Sequence, residues 1–345
     1  MKVTMKEIAK IHHVSINTVS LALNNRPGVS EEMRINILKT AEELGYLQTK
    51  EKFVKAFART NICIMMQKRY SQDMEFYGKV LLGAVEEAKQ NGYDILMDFF
   101  DDDNLEVPKN VTQRRVSGVI IIGKISDQNI ERIRSYRIPV VLVDHASLTQ
   151  NIDSIITNNK LGGYVTMNYL FQKGFKKIGF FGDLKYSLSI KERYWGYREA
   201  LKNQREDMSE SELSQYIHMY SILDGIEEAV LSNDTNAIMK LVLNHPVLPE
   251  VFVCSNDKAA ISLMFVLQSL GYKIPDDISI IGFDNIELCE RVTPQLTTID
   301  VKKEIMGQKA VQRLLYKKSN KKNMSESVAI GVELVERDSV ATPKR

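Results

Sequence analysis

The sequence predicts an α/β protein of composite build: a small all-α helix-turn-helix domain at the N-terminus, then two doubly wound α/β lobes. Three observations predict it. Residues 4–46 carry three short helical patterns broken by a turn signal. From Asn61 onward, short β-branched runs alternate with longer amphipathic ones, which specifies parallel sheets with helices on both faces. That alternation comes in two series, separated near Asp153–Lys160, so two lobes are expected. The chain has 345 residues, 44% hydrophobic and 8% aromatic, enough for two or three domains with substantial cores.

Each element has a local reason. Thr4-Met5-Lys6-Glu7 is a capping box, and the first helix runs on through Ile8, Ala9 and Ile11. Ser15 caps a second helix, 16–24. At about 100° per residue, Val19, Ala22 and Leu23 fall on one side, Asn17, Leu21 and Asn24 on the other, with Ser20 flanking them. Arg26-Pro27-Gly28 signals a turn. Ser30 caps a third helix with Glu31 and Glu32 in its first turn, where the helix dipole favours acids. Met33, Ile37, Ala41 and Leu44 form its buried stripe, and Gly45 is its stop. In the first lobe, strands are expected at 62–66, 95–99, 119–122 and 140–143, and helices at 76–91 and 129–136. The second series reads helix 160–173, strand 178–181, helix 191–204, strand 216–219, helix 233–243, strand 251–254, helix 257–270, strand 279–283. Helix 302–317 and a strand-like run 328–337 come last.

These elements divide the chain into a helix-turn-helix domain at 1–47, a hinge at 48–60 and a core at 61–345. Within the core, lobe 1 takes about 61–158 and 300–325, and lobe 2 about 159–292 and 326–345.

The net charge of +2 conceals an asymmetry: residues 1–60 carry +4 and the remainder −2. Positive charge thus concentrates in the small N-terminal part, as a phosphate-binding module needs. Cys63, Cys254 and Cys289 lie far apart with no C-x-x-C, which fits a reducing compartment. The N-terminus becomes a polar helix at once, and no apolar run reaches membrane-spanning length, so a cytoplasmic protein without membrane contact is expected. Gly118–Lys124 fits the first positions of a phosphate-loop signature. Its middle residues are β-branched strand formers, however, and Ile125 stands where a Ser or Thr would bind magnesium. No catalytic motif, cofactor or metal site is expected. His12-His13 lacks further ligands nearby.

Two short helices joined by a tight turn and braced by a third can enter a major groove, and the polar face of the second can bond bases and phosphates. The same geometry serves a plain three-helix bundle. The residues decide for the first. Val14-Ser15-x-x-Thr18-Val19-Ser20-x-x-Leu23-Asn24, then Val29-Ser30-x-x-x-Arg34 and Leu44-Gly45-Tyr46, resemble the LacI family of bacterial transcription regulators. So do Leu170-x-x-Lys173-Gly174-Phe175-Lys176-Lys177-Ile178-Gly179-Phe180, Arg193-x-x-Gly196-Tyr197, Asn256-Asp257-x-Ala259-Ala260, and the run Ile274 to Asn285. The resemblance implies a periplasmic-binding-protein-like core, a homodimer, a pseudo-palindromic operator and a small effector between the lobes. It implies DNA contacts from Thr4, Ser15, Ile16, Asn17, Thr18, Ser20, Leu21, Asn24 and Arg26. In the family a hinge Leu wedges into the minor groove; here that position is Lys55. His13 stands where the family has Gly in a turn, and His visits positive φ more readily than most residues.

Strand ends supply the effector candidates, because ligands sit beyond the carboxyl ends of parallel strands. Phe76-Tyr77 coincide with the family's effector-contacting pair and are otherwise packing aromatics. Arg193 matches its effector-binding Arg and is otherwise a surface cation. Asp257 is a ligand or a helix cap, Asp284 a ligand or a turn former, and Trp195 a stacking platform or helix core. Asp144 ends a first-lobe strand. An Arg, carboxylates and aromatics suit a sugar or sugar phosphate, with a nucleobase or nucleoside second. A repressor is the expected function. A solute-binding protein of a sugar transporter would share the lobes but has no use for the N-terminal helices.

Overall fold

A computed structural model describes residues 3–23, 28–44, 46, 61–71, 73–320 and 324–341. The N-terminal domain is three helices, α1 (Met5–Ile11), α2 (Ile16–Leu23) and α3 (Glu31–Glu43). Ile8, Ala9, Val19, Ala22, Ile37 and Ala41 close its core, two from each helix. Glu7 reaches back to accept from the Thr4 backbone N–H at 2.7 Å, as the capping box requires. Ser15 Oγ accepts from the Thr18 N–H at 3.0 Å and starts α2. His13 takes φ 50° between α1 and α2, the left-handed turn expected where the family places Gly. His12 Nε2 lies 2.7 Å from Thr40 Oγ1 and ties that turn to α3.

The first lobe contains β1 (Asn61–Gln67), α4 (Tyr77–Gln90), β2 (Asp94–Phe100), α5 (Lys109–Thr112), β3 (Val119–Ile122), α6 (Asp127–Arg134), β4 (Val140–Val143) and β5 (Asp153–Thr157). The chain crosses into the second lobe for α7 (Asn159–Lys173), β6 (Ile178–Phe181), α8 (Leu188–Gln204), α9 (Glu210–Tyr220), α10 (Ile226–Leu231), α11 (Thr235–Leu243), β7 (Val251–Cys254), α12 (Asp257–Ser269) and β8 (Ser279–Ile281). It returns through β9 (Thr298–Val301) to α13 (Lys303–Ser319) and β10 (Ser327–Ile330), then leaves again along β11 (Val332–Val335).

The first sheet has the order β10-β5-β4-β3-β1-β2, and its pairings are parallel. The second is β6-β7-β8, also parallel, with single bridges from Phe181 to Ile222 and from Ile281 to Thr297. Alternate residues of β1 serve opposite faces: Ile62, Ile64 and Met66 join one apolar core, Cys63 and Met65 the other. β7 does the same for the second lobe, with Phe252 and Cys254 on one side and Val251 and Val253 on the other. Antiparallel β9 and β11 run between the lobes.

Two pairs of helices meet through reciprocal glycines. A Cβ on Gly83 of α4 would lie 2.0 Å from the Glu304 carbonyl oxygen of α13, and one on Gly307 would lie 1.9 Å from the Val80 oxygen. In the second lobe Gly163 of α7 faces the Arg193 oxygen at 2.1 Å, and Gly196 of α8 faces the Lys160 oxygen at 2.1 Å. Backbones this close admit no side chain.

Two expectations differ from the structure. The segment expected as a strand at 216–219 belongs to helix α9. Ser209 and Glu212 form a capping box ahead of it, and Leu213, Tyr216 and Ile217 bury one helical stripe. The strand-like place beside β6 goes to Ile222 instead. The run expected as one strand of the second lobe breaks at Gly331. β10 pairs with β5 of the first sheet, and only β11 and residues 336–341 lead to the second lobe. Ser339 anchors that end, accepting from the Thr297 N–H and donating to the Ile280 carbonyl.

Candidate nucleic-acid interface and interlobe cleft

On the N-terminal domain, α2 buries Val19 and Ala22 and turns Ile16 and Asn17 outward. Thr4 and Ser15 are exposed; Thr18, Ser20 and Leu21 are half-buried at its edges. The first turn of α2 carries no acidic side chain, so nothing there repels phosphate. Asn24, Arg26 and Lys55 lie outside the described residues.

The cleft is built from strand ends. Arg193, on the inner face of α8, is buried to 6% exposure. Its Nε donates to Asn159 Oδ1 at 3.0 Å, Nη1 to the Ser255 carbonyl at 2.5 Å and Nη2 to Asp284 Oδ1 at 3.1 Å. Its guanidinium carbon lies 3.8 Å from the Phe283 ring centroid. The ends of β7 and β8 and the start of α7 thus hold one cation. Asp284 occupies an unusual backbone site, φ 118°. Burial pushes its carboxyl up to about 7, against the pull of Arg193. Lys303 of α13 donates to the Asp284, Asn285 and Val301 carbonyls, with its ammonium 5.8 Å from the Phe76 ring.

Across the cleft, Tyr77 donates from its hydroxyl to Asp144 Oδ2 at 2.8 Å. Ser189, from the start of α8 in the opposite lobe, donates to Asp144 Oδ1 at 3.3 Å. Burial raises the Asp144 carboxyl, while Tyr77, Arg193 and Ser189 oppose that shift. Further contacts span the lobes: Lys258 pairs with Asp73 at 3.0 Å, Lys79 lies 3.8 Å from Glu287, and the Arg69 guanidinium lies between the Tyr70 and Tyr186 rings at 4.8 and 5.0 Å.

Phe76, Tyr77, Asp144, Arg193 and Asp284 therefore gather at the facing strand ends. Asp257 sits apart. It is fully buried, accepting from Thr298 Oγ1 at 2.5 Å and from the Ile286 N–H at 3.0 Å, and Asn256 takes the capping role at the Ala259 N–H. Trp195 stands outside this group. Two residues past Arg193, it lies about 200° around the helix, 40% exposed, with Lys191 over its ring. Several participants carry no sequence signal. Tyr186 lies in 184–188, which follows no family pattern, and Ser189 comes directly after it. Glu227 looks like a helix-surface acid, yet both its oxygens are used inside, accepting from Ser255 Oγ and the Asp183 N–H at 2.6 Å each. Asn159 could have been suspected beside the capping Asn158.

Residues 4–48 match the bacterial regulatory proteins of the lacI family. Residues 167–340 match the periplasmic binding protein-like domain. The chain belongs to the LacI family of bacterial regulatory proteins. It is similar to the HTH-type transcriptional repressor PurR of Vibrio vulnificus (strain CMCP6), 29% identical over 350 residues and covering 98% of each chain. Its fold is similar to that of the lac repressor dimer bound to operator and the anti-inducer ONPF. There the TM-score is 0.68 at 22% identity, over 99% of this chain and all of that one. A LacI family regulator from Enterococcus faecium with bound ribose also has a TM-score of 0.68, at 23% identity, over 82% of this chain and all of that one. As a LacI family member the chain is a DNA-binding transcription regulator. Its helix-turn-helix match sets aside the transporter alternative. Among the described residues no helix is long and apolar enough to cross a membrane.

Proposed function

We propose that this regulator is a repressor whose operator affinity is set by a small polyhydroxylated effector, a sugar or sugar derivative, held between the lobes. The observation that carries this is the arrangement of Arg193, Asp284 and Asp144 at facing strand ends, with Tyr77 and Phe76 closing one wall. Carboxylates backed by a buried guanidinium bond vicinal hydroxyls, and an aromatic wall accepts a sugar face. The ribose in the Enterococcus faecium neighbour accords with that chemistry. An effector that replaces Ser189 on Asp144 shifts the lobe equilibrium by its difference in affinity for the two arrangements.

The working unit is a homodimer. Leu82 of α4 with Met97 and Phe99 of edge strand β2 are exposed in the first lobe, and Phe265 of α12 in the second. A bare edge strand with apolar side chains calls for a partner.

The test is operator affinity with and without saturating effector, the effector being found by thermal-shift screening against sugars. A hundredfold response needs about 2.7 kcal/mol of coupling, and one charge-assisted hydrogen bond supplies about 1.5–3 kcal/mol. Arg193→Ala should therefore abolish most of the response. Because that change strands Asp284, the double variant Arg193→Ala/Asp284→Asn should recover melting temperature without recovering the response. A full response in either variant would remove Arg193 from the effector site.

A further inference from the structure

The amino ends of the first-lobe strands carry a cationic rim that the effector cleft does not use. Asn61, the first residue of β1, marks the place where the segment from the DNA-binding domain enters the core. The Ser117 N–H donates to the Asn61 carbonyl at 2.7 Å, so the turn before β3 lies directly beside it. That turn holds Arg114 and Arg115, both exposed, with Arg114 at φ 53°. The next turn, before β4, holds Arg137, exposed at φ 56°, after Arg134 at the end of α6. β3 and β4 are neighbours, so these turns are adjacent.

Among the described residues the side chains of Arg114, Arg115 and Arg137 make no hydrogen bond or ion pair. Arg134 donates only to Gln150. Of the other cations at this end, Lys317 pairs with Asp153 and Ser325, Lys318 donates to Tyr93 and Ser117, and Lys89 and Lys109 are exposed beside β2 and before β3. Of the acids at this end, Glu131 accepts from Gln150, the residue that Arg134 also reaches. Asp153 is spent on Arg313 and Lys317, and Glu326 on Arg313. Asp94 opens β2 opposite Asn61, on the far side of β1. The three arginines thus stand together on the β3–β4 side.

A 14-residue connection, 47–60, spans at most about 50 Å extended and about 21 Å if helical. While the N-terminal domain holds DNA, this end of the core stays within that distance of the duplex. The connection itself adds Lys50, Lys52, Lys55 and Arg59.

We propose that Arg114, Arg115 and Arg137 form a second, sequence-independent contact with the duplex phosphates, made by the core rather than by the helix-turn-helix. Arg in exposed turns bonds phosphate oxygens through a planar fork and reads no base. The contact raises affinity for any duplex and steepens its salt dependence.

The experiment measures binding of the full-length chain to a random-sequence duplex across a salt series, by fluorescence anisotropy. Each phosphate contact contributes about 0.9 to the slope of log affinity against log salt. Arg114→Gln/Arg115→Gln/Arg137→Gln should make the slope shallower by about 2–3 per protomer that touches the duplex, whereas the corresponding Arg→Lys triple should keep it. Lys124→Gln/Lys160→Gln/Lys185→Gln removes equal charge from the carboxyl-end side and should leave it unchanged. An unchanged slope in the Arg→Gln triple overturns the rim contact. So does an equal loss in the Lys→Gln triple, which would mean bulk charge alone. A wild type without salt dependence would instead count against the N-terminal domain as a DNA binder.

Discussion

Arg193 shows what burial does to a charge with a task. Three donors and one face of its guanidinium are committed to Asn159, Ser255, Asp284 and Phe283 before any ligand arrives. Its partner carries a pH signature. The Asp284 carboxyl is pushed up to about 7, above its value of about 3.9 in an unfolded chain. A group raised on folding takes up protons on folding. Its contribution to stability is complete below about pH 4 and is lost as pH rises through about 7. The melting temperature of the ligand-free wild type should therefore fall more between pH 5 and 8 than that of Asp284→Asn. Equal slopes would mean that the carboxylate is ionised throughout, held by Arg193. On α2, Asn17 is exposed and free of the helix core. Asn17→Ala should cost about 1–3 kcal/mol on the preferred operator and relax preference at one position per half-site, which a mobility-shift series with single-base operator variants checks. Arg193 was legible through its resemblance to the family motif, and Asp284 through the strand it ends. Trp195 was not, because rarity says nothing of which side of a helix a residue takes. Ser189 and Glu227 were invisible, since their roles depend on partners 45 and 28 residues away in the chain.

At the scale of elements, the glycine-paired helices set the precision of the site. Gly163 of α7 lies against the backbone oxygen of Arg193 itself. Gly163→Ala must separate α7 from α8 and carry the guanidinium away from Ser255 and Asp284. Overpacking of this kind costs about 1–3 kcal/mol, so the urea midpoint should drop, and the effector response should weaken with it. A drop in stability alone, with the response intact, would show that α8 moves without disturbing Arg193. Most elements were legible within a residue or two, because β-branched runs bounded by amphipathic helices admit few other readings. Helix α9 was not. Tyr216–Met219 has strand-like composition, and only the capping box at Ser209 and the 3–4 spacing of Leu213, Tyr216 and Ile217 mark it as helix.

For the whole molecule, the two-lobed plan was legible from the two series of alternating runs, but the path of the chain between them was not. A strand's partner is fixed by pairing at a distance, and nothing local in Ser327–Ile330 says that it belongs beside β5. That placement has a consequence for how the protein is made. The strands of the second sheet are complete by Ile281, whereas the first lobe waits for α13, which packs against α4, and for β10 at its edge. On the ribosome, the N-terminal domain and the second sheet emerge whole while the first lobe still lacks its cover and last strand. A nascent chain thus completes its helix-turn-helix well before the lobe that carries Phe76, Tyr77 and Asp144 is closed. Control arrives with the last two strands, as β10 and β11 draw the two lobes into one machine.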